Sequence, residues 1–324
     1  MIEPPVFRSH AAKAAKEIPI DMTGILLKRI TILCLILCHP VHSDAAVITG
    51  GETTYRIVNG DTLLLISAKL GVDLATIARE NNLDRRRHLR PGQDLKLNTR
   101  KIAPRTVDNG IIIDIPGRML YYFKAGRLEM SFPVGLGMPQ WEGIPRWRTP
   151  SGTFVVTGKE RDPVWYVPES IRQQMLDRGM PAPTRVPPGP DNPLGRFVLY
   201  TSLKGICIHE TIWPTTVYRF RSHGCIRVLP RNIERFYDDV EAGTHGELLY
   251  EPVKVAVTAE GKVFLEVDPD IYGKAGNLMN DVIRRFDDLG VADQVDWDKV
   301  ERTIHDKAGN AEDVTALLET MPKH

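Results

Sequence analysis

Between residues 109 and 209 the apolar positions fall mostly in short runs, many of them β-branched or aromatic, and only occasionally at helical spacing. The stretch GIIIDIPGRMLYYFKAGRLEMSFPVGLG holds three such runs, broken at Pro116-Gly117 and Ala125-Gly126. Each break is a turn signal between strands. Further strands are predicted over 152–159, 196–201 and 206–209. Helical spacing appears over 166–180 and again over 231–242, where an amphipathic pattern is stopped by Gly243. Residues 181–195 carry too many prolines and glycines for a regular element and predict a stiff surface loop. Many strands with few helices predict a mainly-β domain, closed or sandwiched.

The flanks read differently. In residues 55–97, YRIVNGDTL gives a strand, then Gly60-Asp61-Thr62 as turn and helix cap. Leu63, Ile66, Ala68 and Leu70 form a short apolar face, Leu74, Ile77 and Ala78 repeat it, and LRPGQDLKL closes with a turn and a strand. The order is β-α-α-β. Residues 99–108 are polar around Pro104 and predict a flexible linker. Past the central domain come a β-like run over 254–268 and helical spacing over 278–289, 297–305 and 313–318. The whole is α+β: a module at 52–98, a linker at 99–108, a mainly-β domain at 109–252, and a β run with a helical tail at 253–324.

At the N-terminus, Lys28-Arg29 precedes the apolar run ITILCLILC, which is too short to span a bilayer. Ser43-Asp44-Ala45 offers a small-x-small site, so residues 1–45 read as a secretory signal peptide cleaved after Ala45, with Met22 favoured as the true start. An uncleaved anchor is the alternative. Composition is ordinary: 42% hydrophobic and 26% charged. The net charge of +1 argues against nucleic-acid binding driven by bulk charge. Cys34 and Cys38 leave with the signal, so the exported chain keeps Cys207 and Cys225. Cys207 shares a strand face with His209 and is read as a free packing residue, a reversible disulfide being the other reading. The nine histidines are scattered without ligand spacing, so no metal and no cofactor is expected.

Candidate chemistry concentrates in ICIHETIWPTTVYRFRSHGCIRVLP, residues 206–230. Cys225 becomes a nucleophile only as thiolate, and needs a base or positive charge nearby. His223 stands two residues before it and His209 sixteen residues upstream. Gly224 permits a sharp turn that leaves the N–H groups of Gly224 and Cys225 for an oxyanion. The bland alternative is a buried structural cysteine beside two satisfied histidines.

His209, a gap of twelve residues, then Ser222-His223-Gly224-Cys225-Ile226-Arg227 resembles the signature of the L,D-transpeptidases of YkuD type. Thr149-Pro150-Ser151-Gly152-Thr153-Phe154 and the run Pro187 to Gly195 match in the right order. Residues 52–98 resemble a LysM domain, with Tyr55, Gly60, Asp61, Asn81, Pro91 and Gly92 in family positions. The resemblance implies that Cys225 is acylated and that His209 is the base, oriented by the carbonyl of Glu210; beside it, His223 and Gly224 are expected to help form the oxyanion hole. It places Arg227 at substrate carboxylates and Ser222 beside it. Glu210, Trp213 and Tyr218 complete the expected substrate-binding set. The family usually has a small residue where Glu210 stands, and this charge is expected to raise the pKa of His209.

The implied donor is the peptidoglycan tetrapeptide stem, cut between meso-diaminopimelate and D-Ala, with the glycan held by LysM. The implied acceptor is an amine, from a second stem or an outer-membrane lipoprotein lysine. Expected localisation is the periplasm, at the cell wall. A hydrolase with the same site, or a non-catalytic wall-binding protein, are the alternative functions.

Overall fold

The computed structural model describes residues 46–84, 89–140, 143 and 147–317. The signal-peptide expectation lies outside them. Among these residues no helix is long and apolar enough to cross a membrane.

The N-terminal module forms as the pattern predicts. Strands Glu52–Arg56 and Asp94–Asn98 pair antiparallel, with Tyr55 opposite Leu95. Helix α1 (Leu63–Leu70) starts where the Thr62 side chain accepts from Leu65 N–H and ends at Gly71 in the left-handed region. Asp73 caps α2 (Leu74–Glu80) in the same way. Ile57, Ile66, Val72, Ile77, Leu95 and Leu97 fill a core of its own.

This module is docked on its neighbour. Ala68 of α1 packs on Val217 and Leu229 of the central domain, and Arg231 donates to the Lys69 carbonyl at 2.6 Å. The stretch 99–108, expected to be a flexible linker, is packed instead. Lys101–Ile102 pairs with Ile48–Thr49, and Lys101, Ile102 and Ala103 are buried. Its polar composition misleads because the one buried charge is met: the Lys101 ammonium donates to the Tyr218 hydroxyl at 2.7 Å and to the Gly309 carbonyl.

The central domain is a nine-stranded sheet. In spatial order it runs Phe220–Ser222, Arg127–Gly137, Ile226–Val228, Cys207–Glu210, Phe197–Thr201, Gly152–Arg161, His245–Leu249, Gly110–Asp114 and Met119–Lys124. Met119–Lys124 also pairs with Arg127–Gly137, so the sheet closes on itself. Ile111, Ile113, Phe132, Val134, Leu199 and Ile208 line its core, and Ile233 and Phe236 of α4 (Pro230–Asp239) cover one side. Helix α3 (Glu169–Asp177) is shorter than the 166–180 pattern predicts, because Trp165–Tyr166 pairs with Arg185–Val186 instead. It buries no residue.

The C-terminal region is a small α/β unit with its own core. Residues 254–268 split into Val253–Val257 and Val263–Val267, joined by a turn. Helices α5 (Leu278–Leu289) and α6 (Trp297–Asp306) sit near their predicted bounds, capped by Asn277 and Asp296. The helix expected over 313–318 is absent from its described part. Ala311–Asp313 adds a third strand to Val263–Val267, and Thr315 bridges to Val295. A six-residue apolar spacing is too short to hold a helix against an open sheet edge. This unit meets the central domain around Lys254, whose ammonium lies 2.7 Å from Asp114 and 2.6 Å from Asp268, all three fully buried.

Candidate active site

The strand Cys207–Glu210 lies parallel to Ile226–Val228, with Ile208 opposite Ile226 and His209 opposite Arg227. That register sets Cys207 beside Cys225, one residue before each pair. Cys207 Sγ donates to Cys225 Sγ across 3.5 Å. One polar pair thus joins residues eighteen apart in the chain.

His209 is buried, and its Nδ1 is 2.6 Å from the Glu210 carbonyl. A carbonyl only accepts, so Nδ1 carries the proton and Nε2 keeps its lone pair. A ring nitrogen of His209 lies within 4.8 Å of both sulfurs. Burial, then the charge of Arg227, push the imidazole down to about 4, against the carbonyls of Glu210 and Pro193. The expected rise from Glu210 does not occur. The Glu210 carboxylate turns away, against Gly195, and accepts from Arg196 N–H at 2.9 Å.

Cys225 is drawn below the ordinary thiol value chiefly by the hydrogen bond from Cys207, with Arg227 adding and burial opposing. The same bond, with burial, holds Cys207 well above it. The lower-pKa thiol is therefore Cys225.

The turn before Cys225 is fixed from within. Gly224 has φ of 109°, a conformation that favours glycine. Ser222 Oγ accepts from Gly224 N–H at 3.1 Å and donates to the Cys225 carbonyl at 2.6 Å. Ser222, expected at substrate, spends its hydroxyl as a staple of this turn. The Gly224 amide, expected at an oxyanion, is spent on it as well.

His223 points elsewhere than expected. Its Nε2 pairs with Gln174 of α3 at 2.8 Å, and its ring stands edge-on to Trp147. Burial, then Arg227 and Arg178, push it down to about 4.

Two residues that sequence reasoning gave no role hold the turn from below. Thr149 Oγ1 donates to the Gly224 carbonyl at 2.9 Å and accepts from Gly137 N–H at 2.8 Å. Tyr272 of the C-terminal unit accepts from Thr149 N–H at 3.1 Å and donates to the Gly137 carbonyl at 2.7 Å. Thr149 was visible as part of a motif. Tyr272 had no local signal.

A cavity of about 780 Å³ opens on this centre, lined among others by His209, Cys225, Ser222, His223, Arg227 and Trp213. Arg227 also lies over the Trp213 ring, 5.3 Å from its centroid. Tyr218 and Glu210, both expected at substrate, are not in the lining. Tyr218 is buried under Lys101 and the Arg118 guanidinium, which stacks on its ring at 4.0 Å. The described lining holds four cationic residues, Arg148, Arg178, Lys204 and Arg227, and no carboxylate. Only Arg227 of these was singled out by sequence.

No metal was expected from spacing along the chain. The fold nevertheless gathers Cys207, His209 and Cys225 within ligand range of one another. The parallel strand register does this, and sequence separation hid it.

The YkuD model, an L,D-transpeptidase catalytic domain, matches residues 108–256, and the LysM domain model matches 55–98. The chain thus carries a YkuD-type L,D-transpeptidase catalytic domain preceded by a LysM domain. It is 26% identical to the probable L,D-transpeptidase ErfK/SrfK of Salmonella typhimurium over 294 residues, 87% of this chain and 92% of that one. It is 28% identical to the probable L,D-transpeptidase YbiS of Escherichia coli over 241 residues, 71% of this chain and 74% of that one. The solved catalytic domain of the E. faecium L,D-transpeptidase aligns with 44% of this chain and 97% of its own, at 22% identity and TM-score 0.31.

Proposed function

We propose that this L,D-transpeptidase is exported through its N-terminal 45 residues and acts at the cell wall of the periplasm on peptidoglycan tetrapeptide stems. The observation that carries the substrate class is the cavity: among the described residues, four cations and no carboxylate line it around a thiol drawn below its ordinary value. Stem peptides ending in meso-diaminopimelate and D-Ala bring carboxylates that such a lining receives.

Cys225 Sγ attacks the diaminopimelyl carbonyl, while Nε2 of neutral His209 takes the thiol proton. The tetrahedral oxyanion falls to the Cys225 amide, since the Gly224 amide is bound by Ser222. Collapse expels D-Ala, which takes the proton from His209, and leaves a thioester on Cys225. An amine, from a second stem or a lipoprotein lysine, then takes the acyl group and frees the thiol. Arg227 and Trp213 hold substrate at the mouth. The LysM domain supplies glycan contact, and 52–98, 109–252 and 253–324 are its working divisions.

Incubation of the purified protein with disaccharide-tetrapeptide, followed by mass spectrometry, tests the reaction. A cross-linked dimer with release of D-Ala is expected. Loss of D-Ala alone would make it a hydrolase, and unchanged substrate would favour a binding protein or another acceptor.

A further inference from the structure

The pair Cys207 and His209 stands at i, i+2 on one strand, and Cys225 is delivered beside it by the parallel neighbour. The two sulfurs are 3.5 Å apart, and a ring nitrogen of His209 lies within 4.8 Å of both. A tetrahedral zinc ion with Zn–S near 2.3 Å and Zn–N near 2.0 Å sets its donors roughly 3.5–3.8 Å from one another. The trio therefore needs only a small contraction at the imidazole. The proton on Nδ1 is held by the Glu210 carbonyl at 2.6 Å, the outer contact that fixes a metal-binding histidine with its other nitrogen free. His209 and Cys225 also line the cavity, from which a water or an anion can supply a fourth ligand.

We propose that Cys207, His209 and Cys225 form a three-ligand zinc site that reversibly caps the nucleophile. Binding replaces the two thiol protons by Zn–S bonds and releases both protons, with no change of oxidation state. Two thiolates neutralise the dication, so the bound centre carries no net charge to be repelled by the nearby Arg227 guanidinium. Borderline-soft divalent ions suit two sulfurs and an imidazole, whereas magnesium and calcium require oxygen ligands. Binding rests on this geometry alone. Inhibition rests also on Cys225 being the nucleophile, as proposed above.

The test uses the reduced, metal-stripped full chain titrated with zinc against a chromophoric chelator, with cobalt(II) as a spectroscopic probe. One equivalent of zinc is expected, and cobalt should give a thiolate-to-metal charge-transfer band. Cys207→Ala should weaken zinc at least about tenfold, the scale of lost coordination support. In parallel, zinc should stop acylation by a carbapenem, and a chelator should restore it. The zinc concentration for half-inhibition should rise by the same factor in Cys207→Ala. Absence of stoichiometric zinc, or wild-type zinc affinity in Cys207→Ala, would overturn the site. If metal-free wild type is not acylated, the nucleophile assignment falls, while the zinc titration still decides the site.

Discussion

Lys254 and Cys225 each stand at the centre of a buried polar cluster, one closed by partners and one open to a cavity. Around Lys254, Asp114, Glu266 and Asp268 approach the ammonium within 3.3 Å, and all are fully buried. Burial works against the Lys254 charge, but the three carboxylates outweigh it and hold it ionised. With Lys101 adjacent and the Arg118 guanidinium also acting on Asp268, three acids face three cations. Burial pushes Asp114 up to about 6 and Glu266 up to about 7. For Asp268 burial acts upward too, yet Lys254 and Lys101 pull it below its ordinary value.

Around Cys225 the described residues leave Arg227 without a facing carboxylate in the cavity lining. Arg227 faces two histidines kept neutral, and no carboxylate lines the cavity among the described residues. The positive charge of Arg227 at the cavity wall faces the place of substrate. A structural cluster completes its own charge balance, and a catalytic one leaves the partner's place open.

Removing the central charge separates the two most strongly. Lys254→Met leaves three buried acids without their ammonium and should cost about 3–5 kcal/mol in urea unfolding. A loss below about 1 kcal/mol would mean the cluster is not the clasp between the central and C-terminal units.

The catalytic side is sharpened by His209→Ala, which should slow carbapenem acylation about 10²-fold or more, the reach of a positioned base. A mild effect there with a severe one in His223→Ala would reverse the roles. Between the clusters stands Tyr272→Phe. It strips one hydroxyl from Thr149 and Gly137 and should lower stability by about 1–3 kcal/mol. Because it acts through the Gly224 turn, it should reduce the acylation rate constant while leaving carbapenem affinity nearly unchanged. Equal loss in both would make Tyr272 merely structural.

What the sequence made legible follows from where its signals are local. The helix cap at Thr62, the turns at Pro116-Gly117 and Ala125-Gly126, and the apolar spacing of the helices all act within a few residues. They placed most elements. Cys225, His209 and Arg227 were legible through a motif. Illegible were the directions of side chains set by distant packing. Glu210 turns toward Gly195, Tyr218 meets Lys101 from a stretch that reads as linker, and Tyr272 reaches back from the C-terminal unit. Cys207 lay in plain view, but its partnership with Cys225 depends on a parallel register that neither strand announces alone.

The smallest effect is in pH. His209 and His223 lie at about 4 when folded, against an ordinary 6.5. The unfolded chain therefore binds their protons first, and stability is lost as pH falls from about 6.5 to about 4. Asp114 and Glu266 act oppositely. The folded chain protonates them first, so stability is gained as pH falls from about 7. The two clusters should largely cancel across this window. Glu266→Gln removes part of the acidic share. Stability should then fall on acidification by about 1 kcal/mol per pH unit. An unchanged profile in the variant would show that the clusters are not opposed.

The central claim is that the open cluster delivers Cys225 as the acylated atom. Intact-mass spectrometry after carbapenem treatment, followed by peptide mapping, reads it directly. The metal-free, reduced wild type should carry one adduct on the peptide containing Cys225 and none on that containing Cys207, and Cys225→Ala should carry none. An adduct that persists in Cys225→Ala, or that maps to Cys207, would contradict the account.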